Sequence, residues 1–214
     1  MISSRAAHAR NLVGPLIRSA YRIEAAHSDR VPKRGGVVIV CDWNNIAAPT
    51  VVKAALPRPV HVWAAGPAAL PGPLLSVTGD LAMPEGTPGV ATVSRVLELL
   101  TQGEAVVAIG AVDIGFVISK SAAPVMAARI TAPATKRPTD PPARKSAIDV
   151  TMGHLHQLPE RLTSPHPTRS MARAAGEWTR QVLVDELGED SLGEYPSNES
   201  DLNEFALNEH EMGE

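Results

Sequence analysis

The chain has 214 residues, a mass of 22.6 kDa and a formal net charge of −3, which is room for one sizeable core with tails. Its basic residues are not interleaved with aromatics, which make up only 3% of the chain, and this excludes a nucleic-acid surface. One cysteine, Cys41, precludes an intramolecular disulfide and fits a reducing compartment.

Residues 1–34 are basic, with Arg5, Arg10, Arg18, Arg22, Arg30, Lys33 and Arg34 set among Leu12, Val13, Leu16, Ile17, Tyr21 and Ile23. Two readings fit a helix there: it lies on an anionic membrane surface, or its apolar stripe packs on the domain. Gly14-Pro15 interrupts any long helix. Val37-Val38-Ile39-Val40-Cys41 predicts a buried strand, and Asp42-Trp43-Asn44-Asn45 followed by Ala47-Ala48-Pro49 predicts a strand-to-helix junction. Val90, Val93, Val96, Leu97 and Leu100 recur at helical spacing, with Gly103 placed as the cap. Ala105-Val106-Val107-Ala108-Ile109 reads as a second buried strand. The Pro-rich residues 131–146 predict a surface loop, and Ala147 to Gly153 alternates like a late edge strand. Met171, Ala174, Ala175, Trp178, Val182 and Leu183 predict a terminal helix that ends near Leu187. No Lys or Arg follows Arg180, so the acidic residues 188–214 are expected to be disordered. Within them Asp201 to Leu207 reads either as a short docking segment or as part of a solubilising tail.

In this order of blocks the chain resembles the glycerophospholipid acyltransferases, the family of lysophosphatidate acyltransferase, from about Arg10 to about Leu187; by that resemblance Pro57 to Ala65 is its second strand, Leu70-Pro71-Gly72-Pro73-Leu74-Leu75 its short helix entry and Ala123 to Ile130 its closing strand. The family's first motif is N-H-x-S-x-x-D-P, and Pro49 sets the register here. Its Asn then falls on Asp42, its His on Trp43, its Ser on Asn45 and its Asp on Ala48. The resemblance implies a base and its orienter at Trp43 and Ala48, yet an indole N–H only donates and a methyl group carries no charge. The family's G-x-I-x-V-x-R corresponds to Gly79-Asp80-Leu81-Ala82-Met83-Pro84-Glu85, so Glu85 stands where an arginine grips the acceptor's phosphate. Its F-P-E-G corresponds to Ile109-Gly110-Ala111-Val112, with no polar group kept.

The resemblance therefore implies a single α/β domain over residues 35–187, with a mixed central sheet flanked by helices. The implied site is Trp43 and Ala48 at the catalytic positions, and Asn45, Glu85, Gly110, Ala111 and Val112 at the acceptor-binding positions. No intact catalytic residue, no metal and no cofactor is expected. The expected function is that of a degenerate acyltransferase, a pseudoenzyme of lipid metabolism that binds a partner acyltransferase, another lipid enzyme, or acyl lipid itself. Two alternatives are carried with it. One is an active enzyme, with an acyl thioester as co-substrate and a non-standard site, for which His61 is the nearest histidine. The other is an adaptor on an anionic membrane surface.

Other chemistry is weakly signalled. Cys41 sits in an apolar run and reads as core. His154-x-His156 with His166 lacks a carboxylate or cysteine at ligand spacing and reads as surface. Gly86-Thr87-Pro88-Gly89 lacks the lysine of a phosphate loop. Asp80 and Asp113 have no partner base that the sequence names. No apolar stretch reaches the 18 to 20 residues of a membrane span, so the expected location is cytoplasmic, including the inner membrane face.

Overall fold

The structure is a computed structural model, which describes residues 14–68, 80–82, 89–110 and 114–188. Helical residues 14–20 (α1) lead into β1 (Arg22–Ala26), β2 (Val37–Cys41), α2 (Ala48–Ala55) and β3 (Val60–Ala64). Then follow β4 (Leu81–Ala82), α3 (Val90–Thr101), β5 (Ala105–Ile109), α4 (Gly115–Ser121), β6 (Val125–Thr131), β7 (Ala147–His156) and α5 (Arg169–Leu187). The expected second strand ends at Ala64, and Gly103 follows α3 with φ +80°. The expected helix entry at residues 70–75 and the tail lie outside the described residues.

The seven strands form one mixed sheet in the order β1-β7-β6-β2-β5-β3-β4. Every neighbouring pair is parallel except β6 with β7. Parallel strands covered on both faces need apolar side chains all along, and β2, β3 and β5 are buried at every position. On one face Ile39, Val62, Val107, Met126, Ile148 and Val150 pack under α2, with Tyr21 and Leu56. On the other face Val38, Val40, Trp63, Val106 and Ala127 pack under α3, α4 and α5.

Helices α4 and α5 approach closely, because a Cβ on Gly115 would fall 2.2 Å from the Ala172 carbonyl oxygen. That approach turns the small residues Ala172 and Ala175 inward, with Thr179, Val182, Leu183 and Leu187 further along. The inward stripe is thus rotated from the expected one: Ala174 is exposed, and Met171 and Trp178 are half-buried.

Two further expectations are corrected, and a third is extended. Residues 22–26 form a strand of the sheet rather than part of a separate N-terminal segment, and Ile17, Ala20 and Ile23 pack against the core. Strand β7 is interior and ten residues long, since β1 lies outside it. Residues 132–146 contain no helix or strand, as expected for a loop, but they are fastened to the junction after β2 and to the end of α1.

Candidate functional site

Strand β2 ends at Cys41, level with the last residues of β5 (Ile109) and β3 (Ala64), so residues 42–47 leave the sheet at the carboxyl ends of three parallel strands, while β6 runs on beside them from Ala128 to Thr131. Such ends are where open α/β sheets place ligands. Each side chain of the junction has a separate neighbour. Asp42 turns toward β6, where its Oδ1 accepts the Ile130 N–H at 2.9 Å and its Oδ2 lies 4.0 Å from Arg129 Nε. Burial raises its carboxyl above the ordinary range, and the Ile130 N–H and the Arg129 charge offset this only in part. Trp43 is half-buried against the apolar cluster under α2. Asn44 Oδ1 accepts the Ala68 N–H at 3.3 Å, tying the junction to the turn after β3.

Asn45 is buried and uses both ends of its amide. Its Oδ1 accepts the Ala47 N–H at 2.9 Å, which shapes the entry to α2. Its Nδ2 donates to the Asp140 carbonyl at 3.0 Å and lies 3.5 Å from Thr135 Oγ1. Ile46 N–H donates to the Pro138 carbonyl at 3.1 Å. Ala48, in the first turn of α2 beside Pro49, is fully buried. Beside the junction, Gly110 ends β5 with φ +81°. A Cβ there would lie 2.9 Å from the Ala65 carbonyl oxygen and 3.4 Å from Asn44 Nδ2, so only glycine fits.

The fold thus brings Trp43, Asn45, Ala48 and Gly110 to one end of the sheet. Glu85, Ala111 and Val112 lie outside the described residues, as does Asp113. Trp43 and Ala48 offer no proton acceptor, and Asn45 is occupied by backbone. Asp42 is the titratable side chain of residues 42–48. Its signal in the sequence was a carboxylate directly ending a five-residue apolar strand.

The remaining candidates are accounted for elsewhere. Asp80 closes the sheet edge: its Oδ1 accepts the Val62 N–H at 2.9 Å, and its Oδ2 pairs with buried Lys53 Nζ at 2.5 Å. Burial lowers the Lys53 ammonium from its ordinary value, and Asp80 works against that shift. His61 is buried inside β3, opposite Val106 of β5. Cys41 is buried and its thiol is pushed up to about 12, chiefly by burial, which makes it an inert core residue. His154 and His156 share a carboxylate from α5, Glu186, at 2.9 and 3.0 Å, while His166 lies in an exposed loop. Among the described residues no group of three or more His, Cys, Asp or Glu is arranged to hold a metal ion. No helix among them is long and apolar enough to cross a membrane.

No protein-family model matches the chain, and no curated protein matches its sequence. Among solved structures, the chain is similar to the crystal structure of the 1-acyl-sn-glycerophosphate (LPA) acyltransferase PlsC from Thermotoga maritima. The likeness covers 88% of this chain and 79% of that one, with a TM-score of 0.50 and 13% identity. A likeness at that identity is one of fold, and by it the chain has an acyltransferase-like α/β fold.

Proposed function

We propose that this chain is a non-catalytic member of the acyltransferase fold that serves lipid metabolism by binding, with an acyl lipid or a partner lipid enzyme at the strand-end junction. The observation that carries the reading is the state of the two motif positions. Where the resemblance calls for a base and its orienter, Trp43 packs on the core and Ala48 is fully buried. Neither side chain can take a proton from an acceptor hydroxyl, and general-base catalysis of that kind contributes roughly a hundred- to ten-thousand-fold in rate. Apolar groups in these places suit an acyl chain better than a phosphate. Glu85 at the phosphate-gripping position repels an anion, which points the same way. The reading places the chain on the cytoplasmic side, with exposed Lys33 and Arg34 among the basic residues that an anionic membrane surface would attract.

The test is acyl transfer by the purified chain from a long-chain acyl thioester to lysophospholipid and non-phosphate acceptors, beside the double variant Trp43→His, Ala48→Asp. The expected result is no turnover by the unaltered chain, with an acyl chain or a co-purifying enzyme still bound. Turnover that disappears in Asp42→Asn or His61→Ala would overturn the reading and identify the group that replaces the base.

A further inference from the structure

We infer that residues 132–146 form a strap that closes the strand-end junction, and that unfastening it opens the site to an acyl chain. The inference rests on the binding reading above for what the site holds, but the strap itself rests on geometry. It leaves β6, where Ala132 packs against the same apolar cluster as Trp43. It then crosses the residues between the two motif positions. Asn45 Nδ2 donates to the Asp140 carbonyl at 3.0 Å and lies 3.5 Å from Thr135 Oγ1, and Ile46 N–H donates to the Pro138 carbonyl at 3.1 Å. Asn45 stands where the family's motif has serine, so a residue of the motif serves here as a fastening. The Asp140 carbonyl it holds is 95 positions away in sequence.

The far end of the strap is fastened to the N-terminal segment. Lys145 N–H donates to the Ala20 carbonyl at 2.6 Å, Tyr21 Oη donates to the Pro142 carbonyl at 3.4 Å, and Arg22 N–H donates to the Ser146 carbonyl at 2.9 Å. One strap therefore joins the end of α1 to the junction. Much of it lies off the core: Pro133, Ala134, residues 136–139, Pro141 and residues 143–145 are exposed, while Pro142, at the far fastening, is buried. Pro133, Pro138, Pro141 and Pro142 stiffen it, so it opens by pivoting at its ends more readily than by coiling. A segment held by a few hydrogen bonds and little buried apolar surface is among the first parts of a fold to open.

The variant Asn45→Asp separates the two duties of this residue. It keeps Oδ1 as acceptor for the Ala47 N–H and removes both Nδ2 contacts, placing a second oxygen against the Asp140 carbonyl. Thr135→Val, on the exposed side of the fastening, is the milder second variant. The full-length proteins would be digested briefly with trypsin at native conditions, following cleavage after Lys136, Arg144 and Lys145, and titrated with cis-parinaric acid, a fluorescent long-chain fatty acid.

Cleavage within the strap is expected to be about tenfold faster in Asn45→Asp, with unchanged far-ultraviolet circular dichroism, and the fatty acid about tenfold tighter. Thr135→Val should shift both in the same direction by less. Equal cleavage rates in all three proteins overturn the strap. Faster cleavage with unaltered affinity overturns its role as a cover. Faster cleavage with no fatty acid bound by any of the proteins overturns the acyl-lipid reading itself, and with it the purpose assigned to opening.

Discussion

Asp42 holds a charge that its surroundings do little to stabilise. The Ile130 N–H is a good partner, but Arg129 is 4.0 Å away with a half-exposed side chain, a separation at which an ion pair contributes at most about 1 kcal/mol. A carboxyl whose folded pKa lies above its unfolded one binds its proton more tightly in the folded state. Stability then falls as pH rises through the ordinary carboxylate range to the folded pKa, and levels off above it. Asp42→Asn keeps the oxygen that accepts from Ile130 and removes the buried charge. The variant is expected to be more stable than the parent at neutral pH, by about 1 kcal/mol, with the advantage shrinking toward acid. Urea unfolding at a series of pH values measures this, and a constant difference at all pH values would count against it. At this scale the resemblance picked out Trp43 and Ala48 as the motif-equivalent positions, because Pro49 set their register within one short segment. It did not show what Asn45 does, because its partners come from a loop whose path only the tertiary fold decides.

The clasp between β7 and α5 depends on a bulge. Between the pairs Met126–Leu155 and Ala128–Met152, the single residue Ala127 of β6 faces two of β7, Gly153 and His154, so the alternation slips by one there. Beyond the slip, His154 and His156 meet Glu186 of α5, whose Oε2 would lie 2.9 Å from a Cβ on Gly153. Burial works to raise the Glu186 carboxyl, but the hydrogen bonds from His156 and His154 outweigh it and hold the group below the ordinary range. A depressed folded pKa adds stability above the unfolded pKa, which is lost as pH falls through the folded value. Glu186→Gln is therefore expected to cost about 0.5–1.5 kcal/mol near neutrality and progressively less below about pH 4. Thermal melts of parent and variant that stay equally far apart down to acid pH would refute it. The apolar runs announced β2 and β5, because strands buried on both faces need no register to be recognised, whereas β3, interrupted by His61, and β6 were read from the family resemblance. Strand β1, with the sequence Arg-Ile-Glu-Ala-Ala, carries no such run: an edge strand needs only Ile23 inward. The slip in β7 and the rotated stripe of α5 arise from contacts between elements, at Gly153 and Gly115, that periodicity within one element does not contain.

Across the whole molecule the sheet changes direction once. Strands β4, β3, β5, β2 and β6 run one way, while β7 and β1 run the other, so the chain's first described strand closes beside its last. That arrangement makes β1 the cover of a ten-residue strand whose Ile148, Val150 and Met152 are core. It also sets Tyr21 into the core beside Ile17 and Ile23. Deleting residues 1–26 would remove those three side chains and leave β7 with a long row of open N–H and C=O groups, a template for pairing with another copy. Burial of side chains of this size is worth roughly 1.5–3 kcal/mol each when complete, so the truncated chain is expected to lose about 3 kcal/mol or more. It should melt well below the full chain and associate in a concentration-dependent way. Differential scanning fluorimetry and light scattering across a dilution series measure both. A truncated chain that melts with the full one and stays monomeric would mean that the sheet functionally ends at β7. The strap fastened to Ala20, Tyr21 and Arg22 would then have no anchor of consequence at that end, whereas the expected loss would show the N-terminal segment, the strap and the strand-end junction to be held by one continuous structure.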